Sequence, residues 1–154
     1  MIYLVENQKR TESMKVIQFF LPEIGHPLEI PVATSKVSAG FPSPVDDGMD
    51  ATLDLNRELV KNPPATYFVR VAGDSMLEAG IHDGDILVVD RSLPPSEGRV
   101  VIAALNGDLL VKRLLRKGGM LWLAPENDKF PPIQVREEED LIIWGVVTRV
   151  IHSL

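Results

Sequence analysis

Ser75 and Lys112 are the two residues whose types and settings could make a nucleophile and its base. Ser75 stands in Val71-Ala72-Gly73-Asp74-Ser75-Met76, behind a glycine and just after an apolar run. A glycine there permits a tight turn in which backbone N–H groups converge, so the turn could present Oγ and part of an oxyanion hole. Taken alone, the same residues also describe an ordinary capped turn. Lys112 stands in Leu109-Leu110-Val111-Lys112-Arg113-Leu114-Leu115. On a strand, Leu110, Lys112 and Leu114 share one face. Partial burial there would disfavour the ammonium, and a neutral amine can take a proton from a hydroxyl. An edge lysine that snorkels to water is the plainer explanation of the residue by itself.

The other candidate bases are weaker. His26 lies in a proline-rich stretch, His82 in a turn beside Asp83, and His152 near the C-terminus. None has a setting typical of a Ser-His-Asp arrangement, and their spacing suggests no metal site. The chain has no cysteine, which rules out disulfides, a thiolate nucleophile and cysteine-type zinc sites. No cofactor is implied.

The elements that must position these residues are mostly β. From Ala65 onward, strand-like runs (66–71, 85–90, 99–105, 109–114, 120–123 and 141–151) alternate with turn signals such as Asn106-Gly107 and Gly118-Gly119. Asn106-Gly107 between apolar runs predicts a hairpin. Short, closely spaced strands predict a compact, curled antiparallel β domain with one short helix, preceded by an extended N-terminal arm. The helix is predicted over Asp50–Lys61, where Leu55, Leu59 and Leu53, Arg57, Val60 recur at helical spacing; Asp50 or Thr52 would cap it and Asn62-Pro63-Pro64 would stop it. Residues 1–39 form the predicted arm: one strand near Met14–Leu21, then an extended segment broken by Pro22, Pro27 and Pro31. Residues 40–154 form the domain.

Bulk properties narrow the function. The 154 residues carry 16 basic and 22 acidic side chains, a net charge of −6. That balance argues against a dedicated, sequence-specific DNA-binding surface. The basic cluster Lys112-Arg113 with Arg116-Lys117 is short and, Lys112 aside, reads as a strand end and turn. No signal-peptide core or membrane-spanning run is present, so a cytoplasmic protein without membrane attachment is expected.

Several motifs together resemble the LexA/UmuD family of self-cleaving serine peptidases. They are Gly73-Asp74-Ser75-Met76, Gly84-Asp85 opening a strand, and Val111-Lys112-Arg113-Leu114, with Ser75 and Lys112 separated by 37 positions. Upstream, Ala39-Gly40-Phe41-Pro42-Ser43-Pro44 is similar to the cleavage site of UmuD proteins, as are Leu53-Asp54-Leu55-Asn56, Pro64-Ala65-Thr66-Tyr67-Phe68-Val69 and Trp144-Gly145-Val146-Val147. The resemblance implies Ser75 as nucleophile, Lys112 as general base, Asp74 and Ser75 N–H groups as the oxyanion hole, and Ala39–Gly40 as the scissile bond. It also implies a trigger, activated RecA filament on single-stranded DNA, and a trimmed homodimer. That dimer would join a Y-family polymerase subunit (UmuC-like) in error-prone synthesis on damaged templates during the SOS response. UmuD proteins often carry Cys-Gly at the cut; Ala-Gly here is the LexA form and keeps a small residue before the bond.

Two other readings compete. One is a repressor relative, which would need a helical DNA-binding domain that residues 1–39 do not supply. The other is a non-catalytic dimeric interaction module with an idle Ser–Lys pair. A serine–lysine signal peptidase is set aside for want of a membrane anchor.

Overall fold

The computed structural model describes residues 13–23, 25, 29–32 and 51–154. Among these residues, ten strands run in chain order: β1 Lys15–Phe20, β2 Glu29–Val32, β3 Ala51–Asp54, β4 Thr66–Ala72, β5 Ile86–Asp90, β6 Val100–Leu105, β7 Asp108–Lys117, β8 Met120–Ala124, β9 Ile133–Val135 and β10 Leu141–Ile151. Among the described residues, one short α-helix, α1, spans Leu55–Leu59. The predicted mostly-β architecture is what the chain adopts.

The described residues fall into two units, one holding β1 and everything from Asn62 onward, the other lying within Glu23–Lys61. In the first, eight strands are hydrogen-bonded in the order β1-β4-β5-β10-β6-β7-β8-β9, every pair antiparallel. A further pairing of Lys15 with Leu110 joins β1 to β7. That contact closes β1, β4, β5, β10, β6 and β7 into a six-stranded barrel, with β8 and β9 extending the sheet beyond it. Closure removes the exposed edges that an open sheet would present.

Alternation along the strands sorts their side chains into two cores. Val69, Val71, Leu87, Val89, Ile102 and Val111 pack with Met14, Met76 and Ile81 on one face. Val101, Ala103, Leu105, Leu110 and Leu114 pack with Leu123 and Val146 on the other. Each full burial of a side chain of this kind contributes about 1.5–3 kcal/mol. The turns follow their sequences. Asn106 and Gly107, with φ of 51° and 90°, make the tight β6–β7 hairpin that an Asn-Gly pair favours.

In the second unit, β2 and β3 form a two-stranded antiparallel ribbon, from Glu29 opposite Asp54 to Val32 opposite Ala51. Here the expected helix over Asp50–Lys61 is corrected. Residues 51–54 are extended and paired, and the helix occupies only 55–59. The cap is Asp54, whose side chain accepts from Asn56 N–H at 3.0 Å, rather than Asp50 or Thr52. Pairing with β2, distant in sequence, overrides the local helical spacing. β2 and β9 were not anticipated either; each is very short, and β2 contains a proline.

Gly145 is held by close packing. A Cβ there would lie 2.6 Å from Val89 Cγ1, 3.3 Å from Asp90 O and 3.4 Å from Tyr67 Oη. Val89 is fully buried and Asp90 O is backbone, so neither can yield cheaply. Gly145→Ala is therefore expected to cost about 1–3 kcal/mol of stability, seen as a lower midpoint in urea or thermal melts.

Candidate active site

Ser75 sits in the turn that follows β4. Gly73 takes φ of 111°, a conformation that favours glycine, and its N–H donates to Asp83 Oδ1 at 2.9 Å. Beyond Ser75 a single 3-10 turn, Leu77–Ala79, ends at Gly80 with φ of 78°. The second Ala-Gly pair, Ala79-Gly80, is therefore structural, as the sequence suggested. The segment after β8 clamps the turn from the other side. Glu126 N–H donates to Ser75 O at 2.8 Å, Glu78 N–H donates to Glu126 O at 2.8 Å, and Asn127 Nδ2 donates to Asp74 O at 2.9 Å. Arg113 on β7 in turn binds the Glu126 carboxylate. Asp83, Glu126 and Asn127 thus position the serine turn. Nothing in their local sequence marks them, because their partners lie far along the chain.

The geometry fits a carbonyl-polarising role for this turn. Asp74 and Ser75 present their carbonyls to Glu126 and Asn127, and among the described residues no group accepts from either N–H. Ser75 itself is fully buried.

Lys112 lies mid-β7, opposite Val101 on β6. It shares a strand face with Leu110 and Leu114, and it is fully buried, against the edge-lysine alternative. Among the described residues its Nζ finds no hydrogen-bond partner. Loss of hydration without a compensating anion destabilises the ammonium and pulls its pKa down to about 8. Most buried polar groups are paired, so an unpaired buried amine is an exception that asks for a reason.

Ser75 and Lys112 make no direct hydrogen bond. A residue of β1's approach stands between their strands: Met14 N–H donates to Ser75 Oγ at 2.8 Å, and Met14 O accepts from Val111 N–H at 3.2 Å. One main-chain unit therefore connects the serine with the residue adjoining Lys112.

The remaining sequence candidates are dispersed. Ala39 and Gly40, and His26, lie outside the described residues. His82 and His152 are brought together across Asp85, which the sequence spacing concealed. His152 Nδ1 and Asp85 Oδ1 are 2.6 Å apart, His82 Nδ1 lies 3.7 Å from Asp85 Oδ2, and the two rings are 4.5 Å apart. Asp85 also accepts from His82 N–H at 2.8 Å, so its buried carboxylate is well satisfied. Among the described residues, no helix is long and apolar enough to cross a membrane.

A buried serine in a glycine turn on an all-β barrel is the kind of site that a serine peptidase carries. The chain belongs to the Peptidase S24-like family, whose profile matches residues 31–148. It is 45% identical over 123 residues to Protein SamA of Salmonella typhimurium, covering 80% of this chain and 85% of SamA. It is 46% identical over 126 residues to Protein MucA of Escherichia coli, covering 81% and 84%. LexA repressor 2 of Pseudomonas syringae pv. tomato is 43% identical over 125 residues, 81% of this chain and 61% of the repressor. The resemblance to LexA/UmuD peptidases drawn from the motifs therefore holds.

Burial of Lys112 has a measurable cost. The amine titrates near 10.5 in an unfolded chain and near 8 here. Below pH 8 both states are protonated and the folded state carries a buried charge, a penalty on the order of 3 kcal/mol. Between about pH 8 and 10.5 the unfolded state binds more protons, so the penalty is relieved as pH rises. Lys112→Met is expected to be more stable than wild type at neutral pH. The gap between the two proteins should narrow across that window in urea titrations at stepped pH.

Proposed function

We infer that this chain is a UmuD-like self-cleaving serine peptidase of the SOS DNA-damage response. Ser75 attacks the Ala39 carbonyl carbon while its proton passes to neutral Lys112 Nζ. The resulting oxyanion is received by the Asp74 and Ser75 N–H groups. The Lys112 ammonium returns the proton to the Gly40 nitrogen as the bond breaks, and water then hydrolyses the ester at Ala39. The observation that carries this reading is Lys112: a buried, unpaired amine drawn down to about 8, in a chain of a peptidase family. A base poised near the working pH is what hydroxyl activation needs.

Cleavage within one molecule suits such a site. The bond and Ser75 belong to one chain, 35 positions apart, so the tether supplies a high effective concentration. The same reading makes activated RecA filament the trigger, and makes the trimmed homodimer the accessory subunit of a Y-family, UmuC-like translesion polymerase. The similarity to MucA and SamA over most of both chains supports that assignment.

The test is intact mass after incubation with RecA, ATP and single-stranded DNA. Wild type should lose residues 1–39, and Ser75→Ala and Lys112→Ala should stay whole. Held alone, wild type should cut itself faster as pH rises through about 8. An intact wild-type chain beside an active filament would make it a non-catalytic interaction module, and a rate flat with pH would exclude neutral lysine as the base.

A further inference from the structure

The group against Ser75 Oγ is the wrong one for the proposed reaction. Met14 N–H points at Oγ from 2.8 Å. An N–H bond lies in its peptide plane, so Oγ sits near that plane. Attack on a carbonyl needs approach from above the plane, with the reacting atoms about 3–3.5 Å apart. The Ser13–Met14 peptide is thus held at the nucleophile in an unreactive pose. Its hold is extensive: Met14 O accepts from Val111 N–H, the Met14 side chain is fully buried in the barrel core, and β1 then pairs with β4 from Ala72 to Phe68.

We propose that residues 14–20 are a built-in competitive occupant of the strand slot over Ser75, and that the scissile segment reaches the serine only after this strand has left. The slot takes an extended main chain, flanked by β4 and β7, with an apolar side chain directed into the core. The Ala39–Gly40 segment is the second claimant, and both cannot lie against Oγ at once. This rests on the self-cleavage reading and supplies its regulation. Self-cleavage is slow in proportion to the small population in which β1 is out, and an activator accelerates it by favouring that population.

Two full-length variants test this. Met14→Pro deletes the N–H that engages Ser75 and the side chain that fills the core. Its self-cleavage at alkaline pH, without activator, should exceed wild type by about tenfold or more, as expected when a minor competent state becomes common. Gln18→Cys/Arg70→Cys places a cysteine pair at facing positions of β1 and β4, in a chain with no other cysteine. Oxidised, it should cut at least about tenfold more slowly than when reduced, and reductant should restore the rate. An oxidised, cross-linked protein that cuts as fast as the reduced one overturns the proposal, including where Met14→Pro fails to fold.

A readout without catalysis separates this from the function it rests on. Ser75→Cys carries a single thiol, whose reaction with an aromatic disulfide reagent reports access to the slot. Adding Met14→Pro should accelerate labelling by about tenfold. Faster labelling with no cleavage in any protein would sink the peptidase reading and leave the occlusion standing. Cleavage in wild type with equal labelling in both folded thiol variants would do the reverse.

Discussion

The barrel depends on one short stretch of main-chain pairing, the bridge that β1 makes between β4 and β7. Five of the barrel strands follow Asn62 and could pair among themselves as an open sheet. Among the described residues only β1 joins the two outer staves, through Lys15 opposite both Ala72 and Leu110. The same bridge delivers Met14 to the core and to Ser75. Closure of the fold and occupation of the candidate site are thus a single event. The residue that completes the hydrophobic interior is the residue whose amide rests on Ser75 Oγ.

Around that bridge, the site is organised by burial. Lys112 is placed mid-strand among leucines, where an ammonium is poorly solvated and no partner among the described residues replaces its water. A protein that kept Lys112 for packing alone would do better with methionine or leucine. The serine turn is instead tied down by polar contacts: Asp83 on Gly73, Asn127 on Asp74 and Glu126 on Ser75. The last two ties consume carbonyls, and among the described residues the Asp74 and Ser75 N–H groups keep no acceptor. The division of labour is physical. Desolvation acts on Lys112, and hydrogen bonds set the geometry of the turn that carries Ser75.

Much of this was legible in the residues. Strand periodicity, the Asn106-Gly107 hairpin and the terminal strand over 141–151 follow directly from local pattern. The burial of Lys112 was suggested by its leucine neighbours, and the joint spacing with Ser75 lifted both above bland explanations. What escaped was long-range. The Ala51–Asp54 strand mimics a helix start until β2 pairs with it. Glu126 and Asn127 acquire meaning only when the chain brings them to the serine turn. His82 and His152, remote in sequence, meet across Asp85 for the same reason. Nothing in Ser13-Met14-Lys15 announces that its backbone will seat on Ser75, since main-chain contacts leave no signature in residue type.

The position of β1 also bears on what a cut between Ala39 and Gly40 would leave behind. The strand lies upstream of that bond, so departure of the fragment removes a stave. The product would then carry two unsatisfied edges, on β4 and β7, with a vacant apolar notch where Met14 had been. Phe19 would go too, uncovering Tyr67 and Trp144, whose rings it meets at 5.9 and 5.7 Å. A split barrel of this kind is sticky in a directed way, because its seam accepts an incoming extended backbone and its aromatic face accepts apolar side chains. Proteolysis would then act as an unmasking step, trading an internal strand for the capacity to acquire an external one.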